Sequence, residues 1–289
     1  MPTQKPAGRV VPVGRKPEGV VADPKTGIVA VGLTNPDLLA LVDGKTGRVI
    51  RRLPLSESPR HLQLAAPGGP VLVPAEASDS LIEVSLPDGR MRSTKVGRNP
   101  HDATAADGRY FAGDELGSTL SVVEDGRLIR TLPATKQPGG VAAVGDLVGV
   151  VGVKQRTLEL FDARTLRKVD EAAAGIGPTH VIGAPDNGML VADTDGNAVL
   201  VYQLRPKLEI KRRIGLVGEP YGLAADPDRH RYWVTLTATN ELVEISGLGE
   251  TRRFPTVRQP NSVAVNPVTG RVYVASRADG TLQIIEAGK

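Results

Sequence analysis

An all-β fold, a seven-bladed β-propeller with four-stranded blades, is what this 289-residue sequence predicts, and three observations carry it. A prolyl anchor followed by a small or apolar strand start recurs along the chain. Each interval between anchors holds short β-rich runs parted by turn residues. The chain also ends one strand short and begins with one to spare. Four strands in a repeat of about 40 residues is the pattern of a propeller blade.

The anchors read PEGV at Pro17, PRHL at Pro59, PHDA at Pro100, PGGV at Pro138, PTHV at Pro178, PYGL at Pro220 and PNSV at Pro260. Successive anchors lie 38 to 42 residues apart, so the repeats account for the chain as one domain, 1–289. In the first unit the runs are Val20–Asp23, Ile28–Leu33, Leu38–Asp43 and Arg48–Leu53, with DPKTG joining the first pair and DGKTG the last. The seventh unit repeats the layout as Ser262–Asn266, NPVTG, Arg271–Ala275 and Thr281–Glu286. PDGR (Pro87–Arg90) and EDGR (Glu124–Arg127) place glycine where a hairpin turn needs positive φ. Alternation such as Leu-Ile-Glu-Val-Ser at 81–85 marks strands with two distinct faces, and no segment keeps a helical period. Only three strands follow Pro260. Residues 8–13 supply the missing outer strand and are expected to complete the last blade, leaving no long free sheet edge. Val-Gly-Arg-Lys-Pro at 13–17 supports this, because it matches Val-Gly-Arg-Asn-Pro at 96–100, where an outer strand returns to the next anchor.

Composition narrows the function classes. Apolar residues at 40% and charged residues at 24% describe a chain with enough apolar material for a sizeable core. The absence of cysteine excludes disulfides, thiolate metal sites and a cysteine nucleophile. The longest apolar run, Leu147–Val153, is far shorter than the roughly 20 residues a membrane span needs. No apolar stretch follows Met1, so an export signal, if the protein has one, has been removed. A monomer is expected.

Propellers commonly place their chemistry at the mouth of the central channel, where the inner strands begin. Here that register is the first and second residues after each anchor proline. The first are Glu18, Arg60, His101, Gly139, Thr179, Tyr221 and Asn261; the second are Gly19, His61, Asp102, Gly140, His180, Gly222 and Ser262. Of the 4 histidines in the chain, only His230 falls outside this narrow register. His61, His101, Asp102 and His180, with Glu18, form a candidate set of ligands for a divalent metal ion. The same histidines, with Asp102, could serve as general bases in a lyase or hydrolase. The plain alternative is a polar channel lining that bonds water and neighbouring carbonyls. In the turns after the second strands, Asp114 and Glu115 of blade three and Glu76, near the equivalent place in blade two, would extend the site if those turns share the histidine face.

Charge adds a second pattern. Arg15, Arg98, Lys136 and Arg258 stand two residues before an anchor proline, and Arg60 follows one. Together they predict a basic ring that would attract an anionic ligand, with Tyr221 beside it. Nucleic acid is an unlikely partner. Single-strand binders stack bases on aromatic platforms, whereas this chain has 1 Trp, 5 Tyr and 3 Phe and a net charge of +4, with only Tyr221 at the mouth.

LLALVDGKTGRVIRRLPL and PNSVAVNPVTGRVYVAS resemble the YVTN repeats of YncE-like seven-bladed propellers, and THVIGAPDNGMLVADTDGNAVLVY is similar to repeats of NHL and virginiamycin B lyase-like propellers. The resemblance covers the whole chain. The YncE likeness implies an extracytoplasmic location, secreted or periplasmic. The lyase likeness implies magnesium-assisted, histidine-driven elimination at the same mouth; the Trp-Phe-Thr-Glu type of inner repeat of that family is replaced here by MLVADTDGN. Two functions therefore stand at this point. One is a non-catalytic scaffold binding an anionic small molecule, envelope component or protein; the other is a metal-assisted lyase or hydrolase.

Overall fold

The computed structural model describes residues 4–184, 187–247 and 249–287, and in it the repeats fold as seven four-stranded antiparallel sheets. Six of the sheets run in chain order from an inner strand outward, as in blade one: Pro17–Ala22, Ile28–Leu33, Leu38–Asp43 and Val49–Pro54. Inner strands of neighbouring blades contact one another, and that of blade seven, Pro260–Asn266, meets that of blade one, so the ring is closed. One 3₁₀ turn, Pro227–Arg229, is the only helical element among the described residues.

The apolar residues do not form a single central core. They separate into clusters that lie between sheets: Val31, Ala40 and Val42 of blade one pack with Tyr273, Leu282 and Ile284 of blade seven, and Val151, Leu158 and Leu160 of blade four with Met189, Val191 and Tyr202 of blade five. This is why middle strands such as Ile28–Leu33 and Leu147–Gly152 are buried along their whole length, while outer strands such as Arg127–Pro133 are largely exposed. Phe111, Trp233 and Tyr273 are among the largest fully buried side chains, each within an apolar cluster.

The repeated Asp/Asn-x-x-Thr-Gly turns have a common physical cause. The Asp23 carboxylate accepts from the Thr26 N–H at 2.9 Å and from its hydroxyl, and Asp43 does the same for Thr46. Asn266 substitutes its amide oxygen toward Thr269 at 3.2 Å. A glycine with positive φ then follows in each, with φ 71° at Gly27, 73° at Gly47 and 70° at Gly270.

Ring closure follows the expected route. Arg9–Pro12 pairs antiparallel with Thr281–Glu286 in a sheet whose order is outer N-terminal strand, then the three C-terminal strands. Gln283, fully buried, fastens the joint: its amide donates to Ala7 O at 2.7 Å and Pro255 O at 3.1 Å, and its oxygen accepts from Val257 N at 3.1 Å.

Candidate functional site

The anchor prolines do more than begin strands. In blade three Pro100 lies opposite Asp114 while Asp102 lies opposite Gly113, so His101 is an extra residue, a β-bulge. The same one-residue shift makes Gly139, Thr179 and Asn261 the extra residues of blades four, five and seven. Blades one and six shift between Pro17 and Val20 and between Pro220 and Leu223. A bulge re-aims the extra side chain, here toward the channel mouth. In blade two the inner strand shrinks to Gln63–Leu64 with a lone Pro59–Ala75 bridge, leaving Arg60, His61 and Leu62 outside the ladder.

At the second position Asp102 and Ser262 face the next blade. Asp102 accepts from Val141 N at 2.9 Å, from Gln63 Nε2 at 3.0 Å and from Ala103 N at 2.8 Å, and Ser262 Oγ accepts from Val20 N at 3.2 Å. Where glycine stands there the strands approach too closely for a side chain: a Cβ on Gly140 would sit 2.9 Å from Val181 N. The structure therefore separates Asp102 from the histidines and uses it as a tie between blades two, three and four. Burial pushes its carboxyl up to about 6, held back by those three N–H donors. Asp102→Ala is expected to lower stability by about 2–4 kcal/mol, since it strands buried donors. Urea denaturation checks this, and a midpoint equal to wild type would contradict the tie.

His61 of blade two and His180 of blade five meet directly, Nε2 to Nε2 at 2.8 Å, with ring centroids 4.2 Å apart. Tyr221 stacks edgewise on His180 at 4.4 Å, and His101 lies 4.9 Å from His61. Around these rings runs an ionic network. His101 Nδ1 lies 3.0 Å from Glu76 and 3.2 Å from Glu115. Arg60 Nε lies 2.9 Å from the same Glu76 oxygen and Arg60 Nη1 3.6 Å from Glu18. Arg277 Nε and Asn261 Nδ2 hold the buried Glu18 carboxylate at 2.9 and 3.1 Å, and Gln137 donates to Glu115 at 2.7 Å.

The protonation states follow from the contacts. Burial holds His180 down to about 3, aided by the charges of His101 and Arg60, and holds His61 well below its ordinary value, aided by the neighbouring imidazoles. Both rings are neutral at neutral pH, one donating to the other. For His101 burial acts the same way, but hydrogen bonds to Glu115 and Glu76 outweigh it and raise its pKa. Glu115 is correspondingly lowered to about 2, chiefly by its bond to His101. Burial raises Glu18 against the opposing pull of Arg60 and Arg277.

The candidate metal ligands do not converge as one set. His61 and His180 spend Nε2 on each other, Asp102 serves the blade tie, and Glu18 is held by arginines. The donors that do gather, within 4.8 Å of one another, are Glu76, His101 and Glu115. Their negative charge is already met by the His101 proton and by Arg60, so this trio is built around cations of the protein and does not fit a resident magnesium ion. Arg277 escaped sequence reasoning, although a signal existed: it is the first residue past the second strand of blade seven, the register of Glu76 and Glu115.

The basic ring is uneven. Arg15, Arg98 and Lys136 are exposed and meet no carboxylate among the described residues, whereas Asp279 neutralises Arg258 at 2.6 Å. Arg60 turns inward to Glu18 and Glu76. Below the mouth lies a channel cavity of about 260 Å³, with His61, His180, Asn261 and Asp102 among its polar lining and Leu64, Ile182, Ala225 and Val265 among its apolar lining.

Fold and mouth together define a seven-bladed β-propeller, and comparison with solved structures agrees. The Kuenenia stuttgartiensis hydrazine synthase structure aligns at TM-score 0.83 with 16% identity, covering 94% of this chain and 96% of that one. Staphylococcus aureus virginiamycin B lyase aligns at 0.78 with 14% identity over 96% and 98%. The propeller domain of Myceliophteria thermophila Cps50 (Swd1) aligns at 0.80 with 16% identity over 97% and 100%. At such identities the likeness concerns the fold. No family model and no curated protein matches the sequence.

Proposed function

We propose that this chain is a non-catalytic binding propeller of the YVTN-repeat, YncE-like type that acts outside the cytoplasm and takes a small carboxylate- or phosphate-bearing ligand at its channel mouth. The observation that carries this reading is the state of the mouth histidines. His61 and His180 are neutral and bonded to each other, and a pKa of about 3 at His180 is far from the near-neutral value that suits a general base. His101 is held at the mouth by two carboxylates through Nδ1, whose hydrogen bonds favour its imidazolium form. Arg60 and Arg277, with side chains 24% and 47% exposed, add guanidinium N–H groups beside it, and Tyr221 adds a phenol. Charged N–H donors around a concave mouth suit carboxylate or phosphate oxygens. The unpaired Arg15, Arg98 and Lys136 supply the surrounding positive potential.

The test is calorimetric titration with phosphate, pyrophosphate and a set of di- and tricarboxylates, on protein dialysed against chelator and assayed for metal. At least one anion is expected to bind, with affinity falling ~10-fold in Arg277→Gln, a change of about 1.4 kcal/mol. Metal content is expected to stay far below one equivalent. Failure of every anion would remove the ligand assignment. One equivalent of divalent metal lost in His101→Ala would replace the binding propeller with a metal-assisted lyase or hydrolase.

A further inference from the structure

The face around the mouth is built from turns stitched edge to edge. Glu115 N donates to Asn99 O at 2.9 Å, Ala134 N to Ser118 O at 3.1 Å, Val153 N to Gln137 O at 2.9 Å and Ala174 N to Arg156 O at 2.8 Å. These bonds join the turns 96–99, 115–118, 134–137, 153–156 and 174–177 into one continuous arc over blades three to five. Along it stand the exposed cations Arg98, Lys136, Lys154 and Arg156, none of which meets a carboxylate among the described residues. The one acid in these turns, Glu115, is committed to His101 and Gln137. Two aliphatic side chains flank the cations: Leu116, 59% exposed, and Ile176, 57% exposed.

Both apolar side chains are held out toward solvent by fixed backbone. The buried Asp193 carboxylate accepts from Ile176 N at 2.9 Å and Gly177 N at 2.8 Å. The Leu116 turn is closed by Gly117 N and Ser118 N donating to Asp114 O at 3.0 and 2.9 Å. A rigid surface loses little freedom on binding, so its contacts count more fully toward affinity.

We propose that this arc is a docking surface for an acidic segment of a partner protein that also carries aliphatic side chains. Four unpaired cations in a row call for carboxylates, which would gain pairing without first breaking an ion pair of this chain. Leu116 and Ile176 call for apolar neighbours, which a purely acidic polymer lacks. The arc offers no aromatic platform for nucleobases. It borders the mouth, and Arg98 and Lys136 add to the potential of both, but Lys154, Arg156, Leu116 and Ile176 make no hydrogen bond or ion pair with Arg60, His101 or Arg277.

A random peptide display library selected on the intact protein, with counter-selection on Lys136→Glu/Lys154→Glu/Arg156→Glu, tests the proposal. Enriched peptides are expected to combine Asp or Glu with Leu, Ile or Val. The best of them, synthesised, should bind ~10-fold or more weakly to the charge-reversed protein and several-fold more weakly to Leu116→Ser/Ile176→Ser. Its affinity should be unchanged in Arg277→Gln, which separates this surface from the mouth. All substitutions are in exposed turns, and unchanged melting temperatures confirm that the variants fold. Enrichment without acidic residues, or equal binding to the variants, overturns the proposal. So does tighter binding of the wild type to oligothymidylate or to phosphatidylserine vesicles than to the peptide.

Discussion

Deleting residues up to Pro12 is expected to destabilise the protein by on the order of 5 kcal/mol and to make it self-associate. The deletion strips Thr281–Glu286 of its partner strand and exposes a row of unpaired N–H and C=O groups on the ring's last sheet. It also removes Ala7 O, the acceptor nearest the buried Gln283 amide. Gln283→Leu makes the same point with the strand left in place. It removes two donated bonds and one accepted bond at a fully buried site, for an expected loss of about 2–4 kcal/mol. Denaturant unfolding with light scattering reads both effects. A deletion variant that stays monomeric with a wild-type midpoint would mean that the ring does not depend on this closure.

The second large effect concerns protons at the mouth. Nuclear magnetic resonance of the imidazole rings should show His180 neutral and not titrating from pH 8 down to 5 and His61 titrating well below its ordinary 6.5, while His101 titrates above that value. Because the folded pKa of His101 is raised, the stability it contributes is complete below pH 6.5 and is lost as pH rises through the folded value. Glu115 has the opposite sign: lowered from 4.5 to about 2, it contributes fully above pH 4.5 and loses that contribution as pH falls toward 2. His61 and His180 cost stability below pH 6.5, where the unfolded chain accepts protons that the folded one refuses. In Glu115→Gln the His101 midpoint should drop, and the loss of stability on going from pH 6.5 to 8.5 should shrink. A His101 midpoint left unchanged in that variant would show that the carboxylate does not hold the imidazolium.

Much of the mouth was legible because a repeat converts sequence position into spatial position. The register after each anchor proline placed His61, His101 and His180 in one small volume, and the turns after the second strands pointed to Glu76 and Glu115. Asp102 shows where that translation stops. It shares a register position with His61 and His180, yet its carboxylate is taken by Val141 N of the next blade and Gln63 of the preceding one, while those two rings meet each other. Arg258 shows the same limit for charge: its position predicts a free cation, but Asp279, from a turn of its own blade, neutralises it.

The chain by itself determined the blade count, the strand order within each blade and the N-terminal closing strand, because these rest on local turn chemistry and on apolar patterning that repeats about every 40 residues. Only the tertiary structure decided which side chains meet and which protons they carry. A shift of one residue at each bulge, and distances of about 3 Å between groups from different blades, set every interaction at the mouth. Coulomb energy and desolvation change steeply over such distances, and no spacing along the sequence encodes them.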